Sequence, residues 1–253
     1  MKKIIKKSLS LSLALVMLLA VFASTSVFAQ GGIEKKVESN LKFEKGLFKG
    51  RITGNINVSR TITNNFDSVL DQESNSYKGE IKSNVEAGEL FDGAYNLYKT
   101  EFEPFAPFGK PWKNIVMYGK DKSSFPSATF TITFPKEVKF NEDDIKIVNN
   151  SKSISSIKIN NINNEENSIE FIFYLGYWSD YGQFFDIVKD EIDNVGKNIE
   201  ISIPYSIDSS NSLENLKDIK ASGKCELSYF GKRPVINPVV SIDILCDSMD
   251  ITR

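Results

Sequence analysis

The residues able to do chemistry are few and fall in four places. Gly176-Tyr177-Trp178-Ser179-Asp180-Tyr181-Gly182 concentrates aromatic rings in one short segment. With Trp112, these rings offer flat, amphipathic surfaces of the type that contact sugars or proteins. Trp178 and Tyr181 would equally serve to cap a core where a helix begins. Glu101 and Glu103 beside Phe102 form a second place. In an extended segment, residues i and i+2 point the same way, and glycoside hydrolysis uses two carboxyls about 5–10 Å apart. With 33 acidic residues in the chain, such a pair also arises as solvated charge. The third place is a pair of oxygen-rich runs, 141–144 and 163–167. Calcium takes about six to eight oxygens, neither run matches an EF-hand loop, and ordinary Asn/Asp turn chemistry accounts for both. The fourth is the two cysteines, Cys225 and Cys246.

Among 253 residues there is no histidine. That excludes Ser-His-Asp and Cys-His catalysis, histidine-ligated metals and a histidine switch near neutral pH. Two thiols without histidine fall short of a zinc tetrad. No Gly-rich phosphate loop occurs, so nucleotide binding has no support. No cofactor and no metal site are implied, and no catalytic residue is assigned.

The elements that must carry these residues show mostly a period of two. Over 51–63, Ile52, Ile56, Val58 and Ile62 alternate with polar residues, which predicts a strand with one wet face. The polar run 64–76 reads as a loop, and Tyr77, Ile81, Val85 and Ala87 alternate again, so 51–63 and 77–87 are expected to form a hairpin. Residues 88–126 interleave aromatics with Pro104, Pro107 and Pro111 and read as an irregular connection, with 112–118 as a short strand. From 127 the pattern is regular. Strands are expected at 127–134, near 145–147, at 157–159, at 168–175 as a central strand, at 199–203 ended by Pro204, and near 219–230 and 239–247. One amphipathic helix begins near Asp180, carries Phe184, Phe185, Val188, Ile192 and Val195 on one apolar stripe, and ends at Gly196.

The last two strands suggest a hairpin in which Cys225 faces Cys246, Leu227 faces Ile244 and Tyr229 faces Ile242. That register allows a Cys225–Cys246 disulfide worth about 3 kcal/mol in the loop-entropy picture. The alternative is two buried thiols acting as small hydrophobes.

Residues 1–29 read as a secretory signal peptide. Lys2, Lys3, Lys6 and Lys7 precede an apolar stretch, and Val27-Phe28-Ala29 supplies a cleavage site before Gln30. Cleavage removes four lysines and no acid, which moves the net charge from −2 to −6. An acidic mature chain argues against nucleic acid as a partner. The apolar stretch is short for a membrane span, and no LPxTG-like sorting motif follows, so the expectation is a secreted protein without a covalent anchor or a remaining span.

Short strands with turn signals about every ten residues predict a mainly β, antiparallel β-sandwich with one helix. The expected division is 1–29 signal peptide, 30–111 an N-terminal β region with an aromatic, Pro-rich connection, and 112–253 the sandwich. The run Phe130-Thr-Ile-Thr-Phe-Pro, the acidic turn after it, the single helix and the Ile-x-Ile-Pro strand together resemble the Ig-like β-sandwich modules of Gram-positive cell-surface adhesins. A composition rich in Asn, Ile and Lys is similar to that of low-GC Gram-positive bacteria. The resemblance implies a secreted, non-enzymatic binding or adhesion module. Its partner would be a protein or glycan of a cell surface, matrix or wall, and Tyr177, Trp178, Tyr181 and Trp112 are the candidate ligand-binding residues. The other reading left by the residues is a carbohydrate-binding module or a carboxylate-based glycoside hydrolase.

Overall fold

Alternating apolar residues become strands wherever one face can reach a common core. In the computed structural model, which describes residues 35–45, 50–105, 117–119, 125–176, 181–229 and 239–251, the strands are β1 (Glu38–Lys45), β2 (Gly50–Asn57), β3 (Ile62–Asp71), β4 (Ser76–Glu86), β5 (Met117–Tyr118), β6 (Ser127–Thr133), β7 (Val138–Phe140), β8 (Lys146–Asn149), β9 (Ile154–Asn163), β10 (Ser168–Leu175), β11 (Asn198–Asp208), β12 (Lys220–Tyr229) and β13 (Val240–Leu245). Among the described residues they form an eight-stranded sheet, ordered β1-β2-β13-β12-β6-β10-β9 with β5 also on β12, and a five-stranded sheet, ordered β3-β4-β11-β7 with β8 also on β11. The pairings are antiparallel except that of β13 with β2, which is parallel.

The two sheets face each other across one core. Ile52, Ile56, Ile132, Ile169 and Phe171 of the larger sheet and Ile81, Val85, Ile199 and Ile203 of the smaller are buried in the same cluster. Each fully buried side chain of this size contributes about 1.5–3 kcal/mol from water exclusion. The expected β-sandwich is therefore present, with two α-helices, α1 (Ala87–Leu97) and α2 (Tyr181–Asp193), where the sequence suggested one.

Several boundaries differ from the expectation, each for a physical reason. The 51–63 strand is broken after Asn57. Ser59–Thr61 forms a 3-10 turn in which Asn57 Oδ1 accepts from Ser59 N (2.8 Å) and Thr61 Oγ1 donates to Val58 O (2.8 Å). The chain uses this corner to cross from one sheet to the other. Residues 64–71, expected as part of a loop over 64–76, belong to β3, and the hairpin is β3 with β4 rather than 51–63 with 77–87. An edge strand with no fully buried residue tolerates the polar composition that made it look like a loop. β11 runs through Pro204 to Asp208. On one side β8 pairs with Ile199–Ser202 and β7 with Tyr205–Ile207, so the proline falls where neither supplies a ladder bond.

The 30–111 stretch is not set apart from the sandwich. β2 lies beside β13 and β4 beside β11, and residues 36–253 form one compact unit. After β13 the chain crosses back. Ile219 and Met249 exchange both backbone hydrogen bonds (2.8 and 2.9 Å), Asn64 Nδ2 donates to Asp250 O (2.8 Å), and Ile251 is buried.

The disulfide expectation is corrected. β12 and β13 do pair, but Cys225 faces Ile242, Gly223 faces Ile244 and Leu227 faces Val240, a register four residues from the expected one. The side-chain period is two, so a slip of four leaves every residue on its original face, and alternation alone cannot distinguish the two registers. Cys225 and Cys246 lie roughly 13 Å apart along the ladder at about 3.3 Å per residue. That is beyond disulfide reach, and both thiols are free.

Candidate functional site

Helix α1 grows from a stretch that the prolines had masked. Ala87, Leu90, Phe91, Ala94, Tyr95, Tyr98 and Phe102 recur at three- and four-residue spacings, and the first proline, Pro104, comes only after the helix and its π-turn (Tyr98–Phe102) have ended. Gly88 and Gly93 weaken such a helix by about 1 kcal/mol each. Packing explains both. A Cβ on Gly88 would lie 2.6 Å from Glu191 O of α2, and one on Gly93 would lie 2.5 Å from Ser39 Cβ of β1.

α1 and α2 therefore touch backbone to backbone and run in opposite senses. The start of α1 meets the end of α2 at Gly88 and Glu191, and the end of α1 meets the start of α2 through rings. Phe91 packs edge-on against Phe184 (5.3 Å between centroids), and Tyr98 stacks on Phe185 at 4.3 Å. Phe102 is 1% exposed and continues the cluster to Phe43 of β1 at 5.5 Å; Phe43 meets Phe105 at 5.6 Å. Such pairs each add about 0.5–1.5 kcal/mol beyond the area they bury. The cluster was not singled out in the sequence, although the spacing 91, 95, 98, 102 was its signal.

The far end of α2 is held by one carboxylate. Glu191 is buried, and its Oε1 accepts from Lys152 N (2.5 Å), Ser153 N (3.1 Å) and Ser151 Oγ (3.1 Å), while Oε2 accepts from Ser153 Oγ. This ties the helix to the turn that leads into β9. Beyond α2, Gly196 takes φ +89°, a left-handed value that favours glycine at a helix end. Glu86 accepts there from Gly196 N (3.1 Å) and Lys197 N (3.0 Å).

Of the candidate ligand-binding residues, Trp112, Tyr177 and Trp178 lie outside the described residues; Tyr181 is the first residue of α2. The chain carrying Trp112 departs after Phe105, and the chain carrying Tyr177 and Trp178 arrives at Tyr181. The Tyr98–Phe185 stack brings these two attachment points to one end of the helix pair.

Glu101 and Glu103 do not form a catalytic pair. They lie on a helical turn rather than an extended segment, where residues i and i+2 do not face each other. Glu101 pairs with Lys45 (3.0 Å) and Glu103 with Lys99 (2.5 Å). Lys99 is raised above its ordinary value chiefly by the Glu103 hydrogen bond and lies 5.8 Å from the Tyr98 ring centroid. The oxygen-rich runs serve their own turns: Asn141 Oδ1 accepts from Asp143 N (3.4 Å) and Asn163 Oδ1 from Glu165 N (3.0 Å). Among the described residues no group of three or more Cys, Asp or Glu could hold a metal ion, and no helix is long and apolar enough to cross a membrane.

No family model and no curated protein matches this chain. Solved structures similar to it include the collagen-binding domain from a Staphylococcus aureus adhesin, at 9% identity over 75% of this chain and 97% of that one, with a TM-score of 0.29. A type III cohesin module from the cell-surface anchoring scaffoldin ScaE of Ruminococcus flavefaciens is similar at 10% identity over 74% and 87%, TM-score 0.28. A cohesin from scaffoldin B of Acetivibrio cellulolyticus is similar at 12% identity over 74% and 99%, TM-score 0.22. At these scores the fold assignment rests on the sheet pairing itself.

Proposed function

We propose that this chain is a secreted, non-enzymatic binding module for a protein or glycan of a cell surface, matrix or wall. Its contact surface is built at the end of the helix pair where α1 finishes and α2 starts. The observation that carries this reading is the Tyr98–Phe185 stack at 4.3 Å, continued through Phe102 to Phe43. It makes a packed aromatic base beside Phe105 and Tyr181, the described residues next in the chain to the stretches that hold Trp112 and Tyr177-Trp178. Aromatic side chains on a pre-ordered base contribute large contact area at low entropy cost. The signal-peptide pattern of residues 1–29 supports delivery outside the cell. The hydrolase reading loses its carboxylate pair to Lys45 and Lys99.

Binding of the purified protein to arrayed matrix proteins, cell-wall fractions and glycans tests the proposal. Trp112→Ala and Trp178→Ala are expected to reduce the signal at least tenfold each while leaving the unfolding temperature unchanged. Undiminished binding by both variants would move the contact surface elsewhere, and turnover of any glycan would end the non-enzymatic reading.

A further inference from the structure

We infer that the space between the two sheets is a binding site for one small apolar molecule, about the size of a benzene ring. A cavity of about 130 Å³ lies there. The larger sheet contributes Phe130 and Phe171 to its wall, the smaller sheet Ile81 and Ile201, and α1 contributes Phe91. The room arises where small side chains stand in place of large ones. Ala128 of β6 sits beside Cys225 of β12 on one side and Phe173 of β10 on the other, and Ser83 of β4 sits beside Ile201 of β11.

The wall cannot hold water well. A buried water needs about two to four polar partners. Among the described residues the lining offers the hydroxyls of Thr61 and Ser83 and the Cys225 thiol, and the Thr61 hydroxyl is already donated to Val58 O (2.8 Å). Apolar cavities of about 150 Å³ in other proteins stay dry and take up benzene or xenon. Cys225 gives a second sign of dryness. Its residue surface is only half-buried, yet burial pushes its thiol up to about 12, as expected if the free surface faces the cavity rather than bulk solvent. The site is independent of the aromatic end of the helix pair, since it needs neither Trp112 nor the segment before Tyr181.

Benzene and xenon are the probes. Titration of the full protein with benzene, read by thermal unfolding and by methyl NMR shifts of the lining isoleucines, should saturate at one molecule per chain and raise the unfolding temperature. Xenon should compete. Pyrene, too large for the space, should not. Ala128→Leu fills the cavity from β6 and should abolish the benzene response. If that variant does not fold, the size discrimination between benzene and pyrene in the unaltered protein decides the matter. No saturable benzene response, a pyrene response equal to it, or full benzene binding by a folded Ala128→Leu variant would each overturn the inference.

Discussion

Glu191→Ala should detach the end of α2 from the turn before β9. Glu191 is 3% exposed, and two backbone N–H groups, those of Lys152 and Ser153, end on its Oε1. Alanine leaves both without that acceptor. Only the Ser153 N–H bond is buried; Lys152 is exposed, and water can take over its N–H, so the cost is that of one buried donor left unsatisfied, about 1–3 kcal/mol with about 2 as the central figure. The hydroxyls of Ser151 and Ser153 add little, because they are 3.0 Å from each other and can pair mutually. For a domain of this size, 1 kcal/mol moves the unfolding midpoint by about 2–4 °C, so the expected fall is roughly 4–8 °C. Glu191→Gln keeps the carbonyl acceptor and loses only the charge assistance, a cost of about 1 kcal/mol. Urea unfolding followed by circular dichroism measures both. A Glu191→Ala cost below about 1 kcal/mol, or equal costs for the two variants, would refute the acceptor-count reasoning.

Stability should fall in alkali. Folding holds the Cys225 thiol protonated to about 12 by burial, against 9.0 when free, so between those values the unfolded chain binds fewer protons and the fold loses about 1.4 kcal/mol per pH unit. Tyr205, also pushed up to about 12 by burial, steepens the loss above 10, and Cys225→Val should remove the part that begins near 9 in pH-dependent urea midpoints. Mass spectrometry after alkylation in denaturant without reductant should show both cysteines blocked, whereas an unlabelled pair would restore the bridge. Gly88→Ala drives a Cβ to within 2.6 Å of Glu191 O and should cost about 1–3 kcal/mol in thermal unfolding, where a neutral effect would refute the tight helix contact. Gly196→Ala meets nothing within 4 Å but must hold φ +89°, so its cost should be about 1 kcal/mol, all of it backbone strain.

The regular half of the chain was legible because one face of each strand is apolar and Pro or Asn/Asp turns separate them. β6 and β10 appear within a residue or two of their expected limits; α2 starts as expected but ends at Asp193, which leaves Val195, expected on its apolar stripe, exposed beyond it. Legibility failed where tertiary contacts set the choice. β3 is an edge strand whose pairing, not its composition, makes it a strand. α1 carries two glycines that lower its propensity and are explained only by the close approach of α2 and β1. The β12–β13 register failed for a symmetry reason, since all even slips preserve the faces. At the helix pair, the aromatic spacing 91, 95, 98, 102 was visible in the sequence, but the Tyr98–Phe185 contact required the fold.

The place of β13 has a consequence for how the chain reaches this state. Residues 240–245 fill the gap between β2 (residues 50–57) and β12, so the larger sheet is in two pieces until they arrive. The β1–β2 hairpin then has no neighbour on its inner edge until residues 240–245 have been made. Contacts of such sequence separation form slowly, and exposed strand edges in the interval invite pairing with other chains. Completion of the larger sheet therefore waits for residues 240–245. A chain truncated before residue 240 would present two open edges of the same sheet, those of β2 and β12, to its neighbours.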